Sequence, residues 1–120
     1  MILEELRYHS WEPISVHLDS ETVSRYSAEN DSKEVPAEVL LNLECGRIIN
    51  TLLNYSEQVF LASSSLDIRQ FLPIGTTVTI STSIHDLRCL KEQAFVTIKQ
   101  EYSWNDRPVA ELTQVMVLKS

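Results

Sequence analysis

The feature that most constrains the fold is a segment at residues 35–53 that is apolar on almost every side when wound as a helix. Pro36 stands where the first turn of a helix tolerates proline, so we place the helix start there. Two polar interruptions remain on its surface, one formed by Glu44, Arg47 and Thr51 and the other by Glu38 and Asn42. A helix this apolar must be surrounded by other elements, so we expect the rest of the chain to wrap it.

The second half of the chain supplies this wrapping, because its apolar residues recur in the pattern of β-strands. Strands are predicted at residues 58–69, 76–87, 94–102 and 109–118. The turns that separate them favour pairing in meander order. The prediction is therefore an α+β domain, in which one long central helix is wrapped by a curled antiparallel sheet.

The first third of the chain adds one strand and a short helix to this plan. Residues 14–18 alternate in polarity, and Asp19 or Ser20 offers an N-cap to a helix at residues 21–28. Residues 29–34 are polar and are typical of a loop. The added strand brings the predicted sheet to about five strands. Because its edges are open, we expect a homodimer or a higher oligomer.

Length and charge limit the function classes. With 120 residues, the chain is expected to form a single domain, residues 1–120. A net charge of −7 and scattered basic residues exclude nucleic-acid phosphates as a partner. Two cysteines without metal-ligand spacing, no basic and apolar leader and no run of 18 apolar residues predict a cytoplasmic protein without a membrane segment or metal site.

The segment from Asp67 to Ile80, in which Pro73-Ile74-Gly75 opens a long strand, carries a family resemblance together with the closing strands through Val117. It resembles the hotdog fold of acyl-coenzyme A thioesterases and hydroxyacyl dehydratases. The resemblance implies an acyl-thioester substrate held on coenzyme A or on the phosphopantetheine of an acyl carrier protein. It implies no cofactor beyond that carrier group.

Within this superfamily the chain is most similar to thioesterases of the fluoroacetyl-coenzyme A type. Their site combines a Thr before the central helix, a Glu within it and a His before the Pro-Gly turn. Glu44 matches the helix acid, whereas the other two positions hold Pro36 and Gln70. The resemblance thus implies Glu44 as nucleophile or general base and Gln70 as a polar helper that cannot carry a proton.

Residue chemistry leaves a second interpretation of Glu44 open. Arg47 lies three residues further on the same helix face, so the two side chains can form an ordinary helix ion pair. Burial would raise the pKa of Glu44 and Arg47 would lower it. Gly46, also within the helix, predicts a close approach of helix and sheet.

Substrate-binding positions are implied by the resemblance around the start of the helix. Asp31 and Ser32 fall where a mobile loop would cover the thioester, but a solvated loop is the favoured explanation of these two residues. Pro36 and Ala37 begin the helix, whose first backbone N–H groups near Glu38 can hold an oxyanion.

Two alternatives to a hydrolase remain. One is a 3-hydroxyacyl dehydratase or enoyl hydratase. The hydratase branch carries an Asp followed five residues later by a His; Asp31 matches that Asp, but the fifth residue after it is Pro36, which cannot act as a base. The histidines, His9, His17 and His85, are dispersed in the sequence. A non-catalytic hotdog protein that binds an acyl chain or supports a heterodimer is the other alternative.

Overall fold

A computed structural model describes residues 3–27 and 33–119 of the chain. Four helices are α1 (Glu4–Arg7), α2 (Ser20–Tyr26), α3 (Ala37–Asn42) and α4 (Cys45–Leu52). Five strands are β1 (Ile14–His17), β2 (Gln58–Ile68), β3 (Thr77–Leu90), β4 (Gln93–Trp104) and β5 (Arg107–Lys119). The predicted α+β class with a five-stranded antiparallel sheet is confirmed. The predicted loop residues Asp31 and Ser32 lie outside the described residues.

The sheet has the strand order β1-β3-β4-β5-β2, and every pair is antiparallel. The predicted meander was wrong for β2, which pairs with β5 and forms an edge of the sheet. The chain crosses from β2 to β3 through a segment with buried Leu72, and Gly75 adopts a φ of 102°, which favours glycine. The Gly75 N–H donates to the Leu18 carbonyl at 2.7 Å, which fixes the crossing beside β1.

The core consists of two apolar clusters on the helix-covered face of the sheet. In the first, Val39 and Leu40 of α3 share a cluster with residues that include Ile80 and Leu112. In the second, Leu6 of α1 and residues of α4 cluster with the other ends of β3, β4 and β5; its members include Ile48, Leu52, Val96, Ile98 and Met116. The four-residue helix α1 was not predicted, and its role is to bury Leu6.

The predicted N-cap of α2 is confirmed at Asp19. Its carboxylate accepts a hydrogen bond from the Thr22 N–H at 2.7 Å, as an N-cap side chain does. That bond favours the ionised carboxylate and lowers the pKa of Asp19 below its ordinary value of 3.8. The helix begins at Ser20 and ends at Tyr26, slightly earlier than predicted.

The prediction of one continuous helix over residues 35–53 was wrong. The segment forms two helices, α3 and α4, separated by Leu43 and Glu44. The backbone N–H of Glu44 does not reach the Leu40 carbonyl in the described hydrogen bonds, and the Tyr102 hydroxyl donates to that carbonyl instead, at 2.5 Å. A side chain that takes a helical acceptor is a known cause of helix interruption. The predicted close approach at Gly46 was also wrong, because Gly46 is exposed and a Cβ added there would meet no atom of another element within 4 Å.

Candidate functional site

Glu44 lies at the junction of the two helices, as the residue that precedes α4. It is only 3% exposed, although it carries a carboxylate. Its φ of −109° and ψ of 0° depart from regular helix, and neither its own N–H nor that of Arg47 has an α-helical acceptor among the described residues. The junction therefore combines a buried acid with two backbone donors that the helices do not use.

Arg47 is the charged partner of this acid. Its Nε atom lies 2.6 Å from Oε2 of Glu44, while the Arg47 side chain is one-third exposed. At this distance the two opposite charges form a close ion pair. The guanidinium also contacts the Glu12 carbonyl at 3.4 Å through both terminal nitrogens. Arg47 thus reaches from the buried carboxylate to the surface.

Tyr102 completes the buried polar group from the sheet side. It is fully buried, and its hydroxyl lies 2.5 Å from the Leu40 carbonyl and 2.8 Å from Oε1 of Gln100. A hydroxyl has one proton, so it donates fully to only one of these acceptors at a time. The short bond to Leu40 ties α3 to the C-terminal part of β4.

Burial sets the protonation of both groups. Desolvation raises the pKa of Glu44 above its ordinary value of 4.5, although the Arg47 charge opposes this shift. Desolvation also raises the pKa of Tyr102, and the Glu44 charge adds to the increase. Tyr102 therefore stays a protonated donor. The pKa of the Glu44 carboxyl lies closer to neutral pH than that of an exposed carboxyl, which suits Glu44 to proton transfer.

Gln70, the second predicted catalytic residue, does not join Glu44. It is exposed just after β2 and lines a cavity with Trp104, Asn105 and Arg107. Its backbone N–H donates to the Val109 carbonyl at 3.2 Å. No described hydrogen bond or cavity thus joins Gln70 to the buried acid.

The predicted binding positions at the helix start are only partly described. Pro36 is the N-cap of α3 and Ala37 is its first residue, and Ala37 is exposed. The Pro36 carbonyl accepts from the Val39 N–H at 3.1 Å. Asp31 and Ser32 lie outside the described residues, so their predicted role stays a prediction.

Sequence reasoning missed a belt of buried polar side chains on the inner face of the sheet. Thr82, Gln100 and Gln114 lie between the two apolar clusters and are 5%, 1% and 2% exposed. Gln114 donates from Nε2 to the Ser64 hydroxyl at 3.1 Å, while its Oε1 and the Thr82 hydroxyl have no partner among the described residues. The signal was present, because each of these residues occupies the apolar phase of an alternating strand.

The histidines lie apart from Glu44. His9 packs edge-on against Trp11, His17 contacts the Thr77 hydroxyl at 3.0 Å, and His85 is exposed in β3. Among the described residues, no group of three or more His, Cys, Asp or Glu side chains is arranged to hold a metal ion. In the same part of the chain, no helix is both long and apolar enough to cross a membrane.

No protein-family model and no curated protein matches the sequence. The backbone, however, superposes on solved structures over 88–100% of its length. A hot-dog-like protein from Thermanaerovibrio acidaminovorans matches with a TM-score of 0.73 at 12% identity, over 100% of this chain and 90% of that chain. The chain has the hotdog fold.

Two further hotdog matches represent different kinds of protein. One is a chain of the ChsH1-ChsH2 complex from Mycobacterium tuberculosis, with a TM-score of 0.70 and 13% identity over 98% of this chain and 94% of that chain. The other is a hypothetical thioesterase protein from Streptococcus pneumoniae, with a TM-score of 0.66 and 12% identity over 88% and 80%. Some matched chains are longer, and this chain spans 51% of one of them. At such identities, a shared hotdog fold does not specify a reaction.

Proposed function

We propose that this hotdog protein is an acyl-thioester hydrolase that acts on acyl groups carried by coenzyme A or by a carrier protein. The observation that carries the proposal is the position of Glu44, a buried carboxylate with a raised pKa at the junction of α3 and α4. A buried acid that is only partly compensated by an ion pair is typical of a functional site. Several of the structural matches are named as hypothetical, probable or putative thioesterases, which supports the same reaction class.

The junction offers the groups that thioester hydrolysis needs. Glu44 would deprotonate a water molecule or attack the thioester carbonyl directly. The backbone N–H groups of Glu44 and Arg47, which lack helical acceptors, are donors for the oxyanion that then develops. In the first route, the activated water attacks the thioester and releases the free acid and the carrier thiol. In the second, the carrier thiol leaves when the acyl group is transferred to Glu44, and water then hydrolyses the acyl–Glu44 anhydride to release the free acid.

Access to Glu44 depends on Arg47 in this proposal. The guanidinium lies on the carboxylate and extends to the surface at the Glu12 carbonyl. Displacement of this side chain would uncover the acid and remove the charge that lowers its pKa. The arginine would then return when the product leaves.

A homodimer is part of the proposal because β2 is an open edge strand. It contains 11 residues, and Phe60 and Leu61 expose about half of their surface there. Backbone groups along an unpaired edge favour pairing with another strand, and a second copy offers an equivalent edge. The predicted sites would then lie between the helices of one subunit and the sheet of the other.

A non-catalytic subunit is a second candidate, favoured by one specific observation. The 2.6 Å contact with Arg47 can serve as a structural ion pair that leaves Glu44 without a reaction to perform. One structural match belongs to a complex of two differently named chains, ChsH1 and ChsH2. A dehydratase is less favoured, because no described hydrogen bond or ion pair joins Glu44 to any of the three histidines, which could share the proton transfers.

The test is hydrolysis of acyl-coenzyme A and acyl carrier protein substrates over a range of chain lengths. We expect Glu44→Gln to lower kcat/KM by roughly 10²- to 10⁴-fold, because the amide cannot accept the proton. The matched control is Glu57→Gln, since Glu57 is an exposed acid outside the junction. Equal rates for the wild type and Glu44→Gln would refute the hydrolase. Failure of the wild type on every substrate, with a stable heteromeric partner, would establish the non-catalytic subunit.

A further inference from the structure

The polar belt forms a row across four neighbouring strands on the inner face of the sheet. Thr82 of β3 stands opposite Gln100 of β4, and Gln114 of β5 stands opposite Ser64 of β2. The residue directly opposite Gln114 on β4 is Ile98, so Gln100, two positions further, is a diagonal neighbour of Gln114. Residues two positions apart on a strand share a face. The row therefore runs from the interior of the sheet to the edge strand β2.

This row connects the surroundings of the buried acid with solvent. Near the junction, Oε1 of Gln100 lies 2.8 Å from the Tyr102 hydroxyl. Burial raises the pKa of Tyr102, and the charge of the nearby Glu44 adds to the increase. At the edge of the sheet, Gln114 donates from Nε2 to the Ser64 hydroxyl at 3.1 Å, and Ser64 is exposed. Polar groups thus line the inner face from the neighbour of Glu44 to the protein surface.

Two atoms of the polar belt lack a partner. Within residues 3–27 and 33–119, no hydrogen bond engages the hydroxyl of Thr82 or Oε1 of Gln114. Their side chains belong to residues that are 5% and 2% exposed. Buried polar groups are nearly always paired with protein atoms or with ordered water, because an unmade bond there costs free energy. Both atoms are therefore positioned to bind a small polar molecule.

Water fits these two atoms in size and in hydrogen bonding. A buried water molecule forms two to four hydrogen bonds with polar groups around it. The Gln100 side chain lies between the two unpartnered atoms, opposite Thr82 and diagonal to Gln114, so its amide offers a second contact to a water at either position. A larger ligand finds little room, because all three residues are at most 5% exposed.

We propose that the polar belt is an internal water site that supplies the hydrolytic water to Glu44 from the β2 edge. The proposal rests on the proposed hydrolase function. Each turnover consumes one water, whose oxygen and one hydrogen enter the free acid while the other hydrogen enters the carrier thiol. A substrate that displaces Arg47 occupies the surface route to the acid, so water reaches the carboxylate from the sheet side, past Tyr102. Thr82 and Gln114 are positioning residues, because they bind the water and not the substrate.

Nuclear magnetic resonance tests the water site without reference to activity. Rotating-frame Overhauser spectra, which separate proton exchange from close contact, should show water beside the side-chain amide protons of Gln100 and Gln114. The double variant Thr82→Val/Gln114→Met should lose the water contact at Gln100. Gln93→Met is the control, since Gln93 is half-buried and precedes inward-facing Ala94 on β4. Absence of water contacts in the wild type, or contacts at Gln100 that survive in the double variant, would overturn the site.

Steady-state kinetics test the supply of water. Thr82→Val and Gln114→Met should each lower kcat roughly 3- to 10-fold, because each removes a hydrogen bond to the water, and should leave KM nearly unchanged. Thr82→Ser, which retains the hydroxyl, should recover most of the loss. A general loss of structure would instead lower stability in step with activity, and urea unfolding of the same variants measures this. Wild-type kcat in both Thr82→Val and Gln114→Met would overturn the supply role.

The two measurements separate this proposal from the proposed reaction. A wild type that hydrolyses acyl thioesters without water contacts at the belt would refute the water site while the hydrolase stands. Water contacts that the double variant removes, in a protein that hydrolyses no acyl thioester, would keep the water site and refute the reaction together with the supply role. Glu44→Gln should keep the water contacts of the wild type while its activity falls.

Discussion

The hydroxyl of Tyr102 donates to the carbonyl of Leu40, the acceptor that a continuous helix would offer to the N–H of Glu44. One contact between a strand and a helix thus accompanies the interruption at which the buried acid sits. The Glu44 N–H is left for other partners. Because Tyr102 is fully buried and its pKa is raised, this donor stays protonated at neutral pH.

Removal of this hydroxyl should destabilise the protein and alter the junction. Tyr102→Phe leaves a buried carbonyl without its partner, so we expect the free energy of unfolding to fall by about 1–3 kcal/mol. If the helix closes to satisfy Leu40, exchange of the Glu44 amide proton slows. Urea unfolding and amide hydrogen exchange measure the two effects. Tyr8→Phe, at a residue 79% exposed, should change stability by less than about 0.5 kcal/mol; equal losses in both variants would contradict the role of Tyr102.

The raised pKa of Glu44 makes stability depend on pH. Because the folded protein holds this proton more tightly than the unfolded chain, the stabilisation is complete below pH 4.5 and is lost as pH rises through the folded pKa. Glu44→Gln cannot ionise, so its stability relative to wild type should increase as pH rises above 4.5. Urea unfolding across this range tests the sign. Parallel curves for wild type and variant would show that the folded pKa is not raised, and Glu57→Gln controls for a general charge effect.

The polar belt predicts opposite effects for two buried glutamines. Gln114→Met removes an amide oxygen that has no described partner, so stability should stay unchanged or rise by about 1–2 kcal/mol, despite the lost bond to Ser64. Gln100→Met removes a neighbour of the Tyr102 hydroxyl and should lower stability by about 1–3 kcal/mol. Chemical denaturation of both variants gives the order, and the reverse order would contradict this account of the belt.

The open edge at β2 predicts an assembly that one substitution disrupts. Leu61→Lys places a charge on the edge strand, where Leu61 is 51% exposed, so we expect the variant to sediment as a monomer and the wild type as a dimer. Leu53→Lys adds the same charge after α4 at a residue 46% exposed, and it should remain dimeric. Dissociation of both variants would point to net charge as the cause, and a monomeric wild type would refute the dimer.

The parts of the fold that could be predicted are those whose causes are local. Pro36 precedes α3 as its N-cap, Asp19 caps α2 through a bond three residues away, and Gly75 allows a turn through its missing side chain. The interruption of the central helix has a cause 62 residues away, at Tyr102, so periodicity within the helix does not reveal it. The pairing of β2 with β5 could likewise not be predicted, because the other strands have a similar apolar pattern and could equally have been its partner.

The candidate site was predictable in its acid and not in its partners. Both interpretations of Glu44 relied on its neighbours in the helix, and the structure places Arg47 on it as the ion-pair interpretation expected. Gln70 was matched by order along the chain, but the crossing after β2 carries it to the Trp104 cavity. The order of residues along the chain was therefore enough to identify Glu44. The residues that surround it depend on how the helices and strands pack, which the order does not show.

The sheet order also has a consequence for how the chain reaches its native state. Ile68 pairs with Ala110 and Gln58 with Lys119, so β2 has no pairing partner until β5 is present, whereas β3 and β4 can already form their hairpin. Such non-local pairing slows folding. On a ribosome, β2 emerges well before its partner and spends that interval as an unsatisfied strand. A chaperone, or another nascent copy on the same message, has its best opportunity to engage the protein then.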